Sequence, residues 1–417
     1  MAESAKGIVV TDVSGKQYLD FGETMVSVSH SHPDIIRAVT KNVSRMMTGG
    51  TAGWSMVEPR VQFAEELKSF LPGRLKSDGR LSFCASGAES CDYAIGLVRQ
   101  YTKKKTIINF SGAYHGFTGA TLAVNGIEPW LNTYRIPSRL GTVTAPFPGE
   151  LQREGEEAKE HERYCVDKFG EIFETVAPAD DVAAVIFEAV EVMAGLRIPS
   201  HSFWKQIFDI CHKNGVLTIA DEVFTGLGRT GEFLAIDHYD VEPDVVCFGK
   251  GVGGTLPLGV IVSRREIING NLKPNCQSSS AGNPLCCVAA HENLLVIKKE
   301  RLIERSTTLG KYFLEKLNEL KGLHRIVRSV RGIGLILELE PTCDDPATDG
   351  AALAKRIYEL AFESGLLIAR NGLRRHMIRI SPPMVVSKAQ IDTFIQRMDK
   401  VLRVAAGGRM TKGTRGD

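Results

Sequence analysis

VLTIADEVFTGLGRTG, residues 216–231, places an unbroken apolar run directly before Asp221. A short run of this kind, bounded by polar and glycine signals, is the pattern of a strand buried on both faces, as in a parallel sheet. An acid that follows it immediately sits at the carboxyl end of the strand, where open α/β sheets bind ligands. A second run, Val245 to Phe248, ends in the same manner in Gly249-Lys250-Gly251. The two runs together place an acid and a lysine at the ends of two strands.

Further strand candidates are Leu81–Cys84, Thr106–Phe110, Ala183–Phe187 and Leu258–Val262. Between them lie helical patterns: Ala88–Tyr101, with Cys91, Ala94, Ile95 and Val98 on one stripe, and Ser202–Asn214, closed by Gly215. This alternation predicts an α/β fold, a mostly parallel sheet with helices on both faces. After Asn283-Pro284 the texture changes to charged helices over Leu285–Lys299 and Glu304–Leu320, then to strands near Ile333–Leu339 and Met377–Ile380. That region is expected to form a separate α+β domain. The charged stretch Glu150–Arg163 is expected to be a solvated helix or insertion, and GGRMTKGTRGD at the end a disordered tail.

With 417 residues the chain is long enough for a layered core and an accessory domain. Its 51 Lys and Arg against 49 Asp and Glu leave a formal charge of +2, with no basic stripe, which argues against a nucleic-acid partner. No apolar stretch reaches the roughly eighteen residues that span a bilayer, and MAESAKGIVVTD lacks a secretion pattern, so no membrane association and a cytoplasmic location are expected. The nine cysteines, odd in number and without CxxC or Cys/His spacing, suggest reduced buried thiols and no metal site.

The chemistry-bearing residues converge on one demand. A lysine that exchanges an imine must be uncrowded, and Lys250 stands between two glycines; the alternative is a surface lysine in a Gly-rich turn. Asp221 would keep a ring nitrogen protonated, unless it merely caps the next turn. Val223, two residues on, points to the same side and can lie flat against a ring. Ser86-Gly87-Ala88 offers strand, small turn and helix N-terminus in the order that binds phosphate. Tyr114, in AYHG, can stack on the opposite ring face or serve the core. These are the parts of a pyridoxal 5'-phosphate site. Gly226–Gly231, GLGRTG, matches the GxGxxG dinucleotide pattern, but DEVFT separates it from the strand and no helical stripe follows, so a dehydrogenase ranks below.

DEVFTGLGRTG, FGKGVGGTLPLG, FCASGAESCDYAI, GAYHG and AGNPL together resemble the class III aminotransferases of the fold type I pyridoxal phosphate enzymes, from YLDFGETMVSVSHSHPDI to IRISPP. The resemblance implies a large domain with a mostly parallel seven-stranded sheet, a small domain built from both chain ends, and a homodimer with shared active sites. The corresponding boundaries are 1–45 for an N-terminal part of the small domain, 46–289 for the large cofactor domain, 290–407 for the C-terminal small domain and 408–417 for the tail. By position it makes Lys250 the Schiff-base lysine, Asp221 the pyridinium partner, Val223 and Tyr114 the ring sandwich, and Ser86, Gly87 and Ala88 the phosphate cup. It adds His115 and Glu188 near the cofactor, Ser279 toward the partner subunit's phosphate, Arg379 for the substrate carboxylate and Trp54 for the substrate.

Two departures bear on substrate. Where relatives acting on 4-aminobutyrate or ornithine show EPIQGE, this chain reads EAVEVM, keeping Glu188 but placing Met193 where a second Glu would stand, which argues against ω-amino acids. Phe224 replaces a Gln that bonds the ring's phenolic oxygen in many relatives. The expected activity is ping-pong transfer of an amino group from an amine or amino acid to a 2-oxo acid. Racemisation or epimerisation, an aminomutase and a decarboxylase are the alternatives on the same cofactor.

Overall fold

The computed structural model describes residues 1–22, 27–44, 57–127, 141–149, 155–269, 278–342 and 350–407. The chain divides into two compact units: Met1–Glu23, Ser29–His32 and Glu304–Asp417 form one, Thr24–Val28 and Pro33–Ile303 the other. The larger unit closes at residue 303, beyond the expected 289, because helix Pro284–Lys299 packs on helices Pro33–Val43 and Glu58–Ser69 of that unit.

The larger unit is built on seven strands: β1 Arg80–Cys84, β2 Thr106–Phe110, β3 Thr142–Ala145, β4 Val182–Phe187, β5 Leu217–Asp221, β6 Val245–Phe248 and β7 Gly259–Ser263. Their order across the sheet is β1-β7-β6-β5-β4-β2-β3. Strand β7 is antiparallel to both its neighbours, and the remaining pairs are parallel, as the alternating pattern predicts. Strand β3 was not anticipated: Thr142–Ala145 is short, half-buried and lies at the sheet edge, so its apolar signal is weak.

The period of two sorts each strand between two cores. Ile107, Ala184, Ile186, Ile219, Val245 and Cys247 pack with Cys91, Ala94, Ile95 and Val98 of helix Gly87–Thr102, the stripe read from sequence. Phe110 and Phe187 belong to an aromatic cluster centred on Trp204 of helix His201–Lys213. Trp204 is fully buried, its ring 4.4 Å from Phe187 and 5.5 Å from Phe110, and its indole N–H donates to the Ala189 carbonyl at 2.9 Å. That bond ties the cluster to the chain just beyond β4.

In the smaller unit the N-terminal strands Ala2–Lys6, Val9–Asp12 and Gln17–Asp20 pair in sequence, and Gln17–Asp20 pairs in turn with Leu366–Leu367, so both ends of the chain contribute to one sheet. A second sheet runs Val327–Ile333, Ile336–Pro341, Met377–Ile380, Ala369–Asn371. The single strand expected near Ile333–Leu339 is instead the turn and return strand of a hairpin, reversed at Gly334, whose φ of +54° a side chain would resist. The charged stretch after residue 154 forms the long helix Gly155–Thr175.

Trp204→Ala should cost about 3–5 kcal/mol, measured as a lowered midpoint in chemical denaturation. A loss below about 1 kcal/mol would mean that the cluster collapses around the gap instead of holding β2 and β4 in place.

Candidate active site

Asp221 ends β5, is buried, and receives three donors. Its Oδ1 accepts the Val223 N–H at 3.0 Å, and its Oδ2 accepts from His115 Nδ1 at 2.7 Å and from the Cys91 thiol at 3.4 Å. Burial pushes this carboxyl up, but the His115 hydrogen bond and charge, with Lys250 nearby, hold it below the usual carboxylate range. His115 is itself pinned, since its backbone N–H donates to Asn125 Oδ1 at 2.7 Å and Asn125 Nδ2 donates to the Gly116 carbonyl at 2.8 Å. Although Cys91, His115 and Asp221 cluster within 4.8 Å, hydrogen bonding of the Cys91 S–H to Cys247 and burial keep that thiol protonated, so Cys91 and His115 act as donors to Asp221.

Strand β6 pairs beside β5, Asp221 opposite Cys247, which brings Lys250 to the same carboxyl edge. Gly249 is extended and Lys250 turns left-handed, at φ +44°, opening the 3₁₀ turn Lys250–Gly253. A non-glycine residue held there stores roughly 1–3 kcal/mol of strain, of the kind found at functional sites. Lys250 Nζ lies 5.3 Å from the Phe224 ring centroid.

Helix Gly87–Thr102 starts at the end of β1, capped by Ser86, whose Oγ accepts the Glu89 N–H at 3.2 Å. The Glu89 carboxylate turns back to the Ala85 N–H at 2.7 Å. A Cβ on Gly87 would stand 2.5 Å from Val223 Cγ1, and one on Gly249 would stand 2.5 Å from the Gly87 Cα. Only bare backbone lets the three strand ends meet this closely.

They enclose a cavity of about 310 Å³, within the usual range for small-ligand sites. Lys250, Asp221, Ser86, Gly87, Ala88, Tyr114, His115, Glu188 and Val223 all line it, as do Met193 and Phe224. Glu188 Oε1 accepts the Tyr114 N–H at 2.8 Å, and burial and the Asp221 charge push its carboxyl up to about 8. Ser279 is exposed in the turn preceding helix Pro284–Lys299 and does not line this cavity. Arg379 lies in the smaller unit, buried on Met377–Ile380, with Nη2 donating to the Gly22 carbonyl at 3.1 Å. Trp54 falls outside the described residues.

Sequence reasoning missed the thiol of Cys91 and the wall made by Val192, Thr255, Leu256, Pro257 and Leu258. Cys91 read only as part of the apolar stripe, and its position four residues after Gly87 was the available signal. Thr255 adopts φ +86°, a conformation no β-branched residue advertises. GLGRTG forms buried turns with only the short 3₁₀ segment Ala235–Tyr239 after it, so the dinucleotide reading fails for want of a helix.

The donor set fits pyridoxal phosphate. An ionised, buried carboxylate with an acceptor lone pair left on Oδ1 suits a pyridinium N–H, helix N-terminal amides suit a phosphate, and Val223 and Tyr114 offer flat apolar contact. The fold and this site define a fold type I pyridoxal phosphate enzyme. A family model, Aminotransferase class-III, matches residues 1–402. The chain is 32% identical to the 5-aminovalerate aminotransferase of Pseudomonas aeruginosa, over 94% of this chain and 91% of that protein. It is 30% identical to the isoleucine 2-epimerase of Lentilactobacillus buchneri, over 98% and 91%. Among solved structures, a transaminase from the marine bacterium Virgibacillus superposes with TM-score 0.89 at 27% identity, covering 98% of this chain and 93% of that one. The chain belongs to the class III aminotransferases, enzymes that use pyridoxal phosphate to transfer amino groups. Among the described residues no helix is long and apolar enough to cross a membrane.

One buried acid next to the site makes stability pH-dependent. Glu222 accepts from the Thr225 hydroxyl and from the Ile236 N–H at 3.0 Å, closing the GLGRTG lobe, and burial pushes its carboxyl from 4.5 up to about 7. An acid whose native pKa exceeds its unfolded one favours the native state fully below the unfolded value and loses that advantage as pH rises through the native value. Glu222→Gln should therefore gain stability relative to the parent between pH 4.5 and about 7 and level off above, by on the order of 3 kcal/mol. Denaturation midpoints at four pH values test this, and a flat difference would refute it.

Proposed function

We propose that this enzyme takes the amino group from an apolar amine or amino acid and delivers it to a 2-oxo acid, with Lys250 as the catalytic amine, acting as a cytoplasmic homodimer. The observation that carries the proposal is the arrival of Lys250 and Asp221 in one cavity from the ends of adjacent strands β5 and β6.

Bound pyridoxal phosphate supplies a carbon that accepts an amino group and a pyridinium ring that takes up the electron pair released at the substrate carbon. Asp221, kept ionised by His115, holds the ring's N–H and so preserves that capacity. With that group bound, Lys250 Nζ would hold it and, once a substrate amine took its place, would be the base that carries the proton released from the substrate carbon. Ser86 Oγ and the amides of Gly87 and Ala88 hold the phosphate, while Val223 and Tyr114 keep the ring plane. Ser279 would serve the phosphate of the partner subunit. Arg379, a planar bidentate donor, suits the carboxylate of the 2-oxo acid.

The donor end follows from the wall. Val192, Met193, Phe224, Leu256, Pro257 and Leu258 present carbon, not charge, to a substrate side chain. An ω-carboxylate placed against it would lose its hydration without a partner. The 5-aminovalerate enzyme named above therefore differs from this one in the donor it takes.

Lys250→Ala should lower amino transfer by at least about 10²–10⁴-fold while leaving the far-UV spectrum unchanged. A panel of donors against pyruvate and 2-oxoglutarate should favour apolar donors over 4-aminobutyrate; the reverse order would sink the donor assignment. A single enantiomer of the best donor, incubated without any acceptor, should keep its configuration, whereas inversion would point to epimerase chemistry.

A further inference from the structure

Beyond β4 the chain folds into a tight hairpin. Glu191 and Arg197 are paired backbone to backbone, at 3.1 and 2.9 Å, and the Gly195 N–H donates to the Val192 carbonyl at 3.3 Å to close the tip. Gly195 takes φ +108°, which only glycine adopts readily. Val192 and Met193, in that tip, line the cavity. Glu191 and Arg197 do not; they lie behind it and pair a second time through their side chains. Arg197 Nη1 donates to Glu191 Oε2 at 3.1 Å and to the Ser111 carbonyl at 3.0 Å, with side chains 5% and 1% exposed respectively.

We propose that the buried Glu191–Arg197 ion pair is a positioning device that sets donor specificity, by fixing Met193 against the substrate side chain. The proposal rests on the apolar-donor reading and extends it to two residues that never touch substrate. The pair joins two cavity-lining segments. Ser111 leads through Gly112 to Tyr114, and a Cβ at Gly112 would stand 2.5 Å from Arg197 Nη1 and 2.8 Å from Glu191 Oε2. The segment is therefore shaped around the two charges.

Burying two charges costs desolvation that a hydrophobic pair of equal volume would avoid, so an ion pair here is a poor device for stability alone. What it adds is direction. A planar guanidinium held by two acceptors about 3 Å away has one orientation, and the hairpin rooted on Arg197 inherits it. Loosening that pair leaves Lys250, Asp221 and Ser86 in place, because they hang from other strands. It releases Met193, and only a donor side chain long enough to reach Met193 feels the change.

The test uses holoenzyme and the acceptor that the wild type prefers, and compares leucine with alanine as donors. In Glu191→Gln and in Arg197→Met the ratio of kcat/KM for leucine to that for alanine should fall at least tenfold, through the leucine KM. Cofactor affinity, read by absorbance titration, should stay within twofold. Met193→Ala, which leaves the charges in place, should reproduce the fall and remains informative if the pair variants do not fold. A ratio within twofold of wild type in the folded pair variants, or in Met193→Ala, overturns the positioning role, as does an equal loss for both donors. A wild type that prefers 4-aminobutyrate overturns the apolar-donor reading instead; that result comes from the parent enzyme and is separate from the variant ratios.

Discussion

A carboxylate excluded from water must be given donors or it takes up a proton, and Asp221 is given three. The shortest, from His115, reaches across 106 positions of sequence, and the thiol of Cys91 comes from helix Gly87–Thr102, 130 positions away. Each donor is anchored in turn. His115 is held by Asn125, Asn125 by Gly116, and Cys91 by the core stripe of its helix. The charge at this end of the cavity depends on this cluster, since its donors are what hold Asp221 ionised.

The other polar groups are positioned by the same device, the carboxyl end of a strand. Lys250 follows β6, Glu188 follows β4, and Ser86 stands between β1 and the helix it caps. Parallel pairing of β4, β5 and β6 aligns these ends at one edge, so residues far apart in sequence share a cavity. The glycines at 87 and 249 then allow an approach that any side chain would block. Strand ends thus hold the polar groups of the cavity, whereas the turns at 192–193 and 255–258 carry its apolar wall. Polar groups and apolar wall are carried by two kinds of backbone.

That separation explains which residues were legible. Asp221 and Lys250 stood out because each follows the end of an apolar run, where an open sheet presents residues to a ligand. Ser86 followed from helix-capping chemistry, and the core stripe of Cys91, Ala94, Ile95 and Val98 from the helical period. Thr255 was not legible, because its φ of +86° is imposed by its surroundings and contradicts its own preference. Nor was the Glu191–Arg197 pair, whose members look like ordinary surface charges until their burial is known. The first strand of the hairpin reversed at Gly334 was not legible, because VRSVRGI carries two arginines and a serine and is mostly half-exposed.

From the sequence alone came the strand and helix periods, the alternation that demands a parallel sheet, and the identity of the residues that end each strand. These are local properties, encoded in the spacing of apolar side chains and in backbone preference. The tertiary structure alone decided that β5 lies beside β6, that His115 and Cys91 turn toward Asp221, and that a buried ion pair underlies the wall of the cavity. Those facts depend on contacts between residues distant in the chain, and such contacts exist only once burial of both sheet faces has selected one strand order.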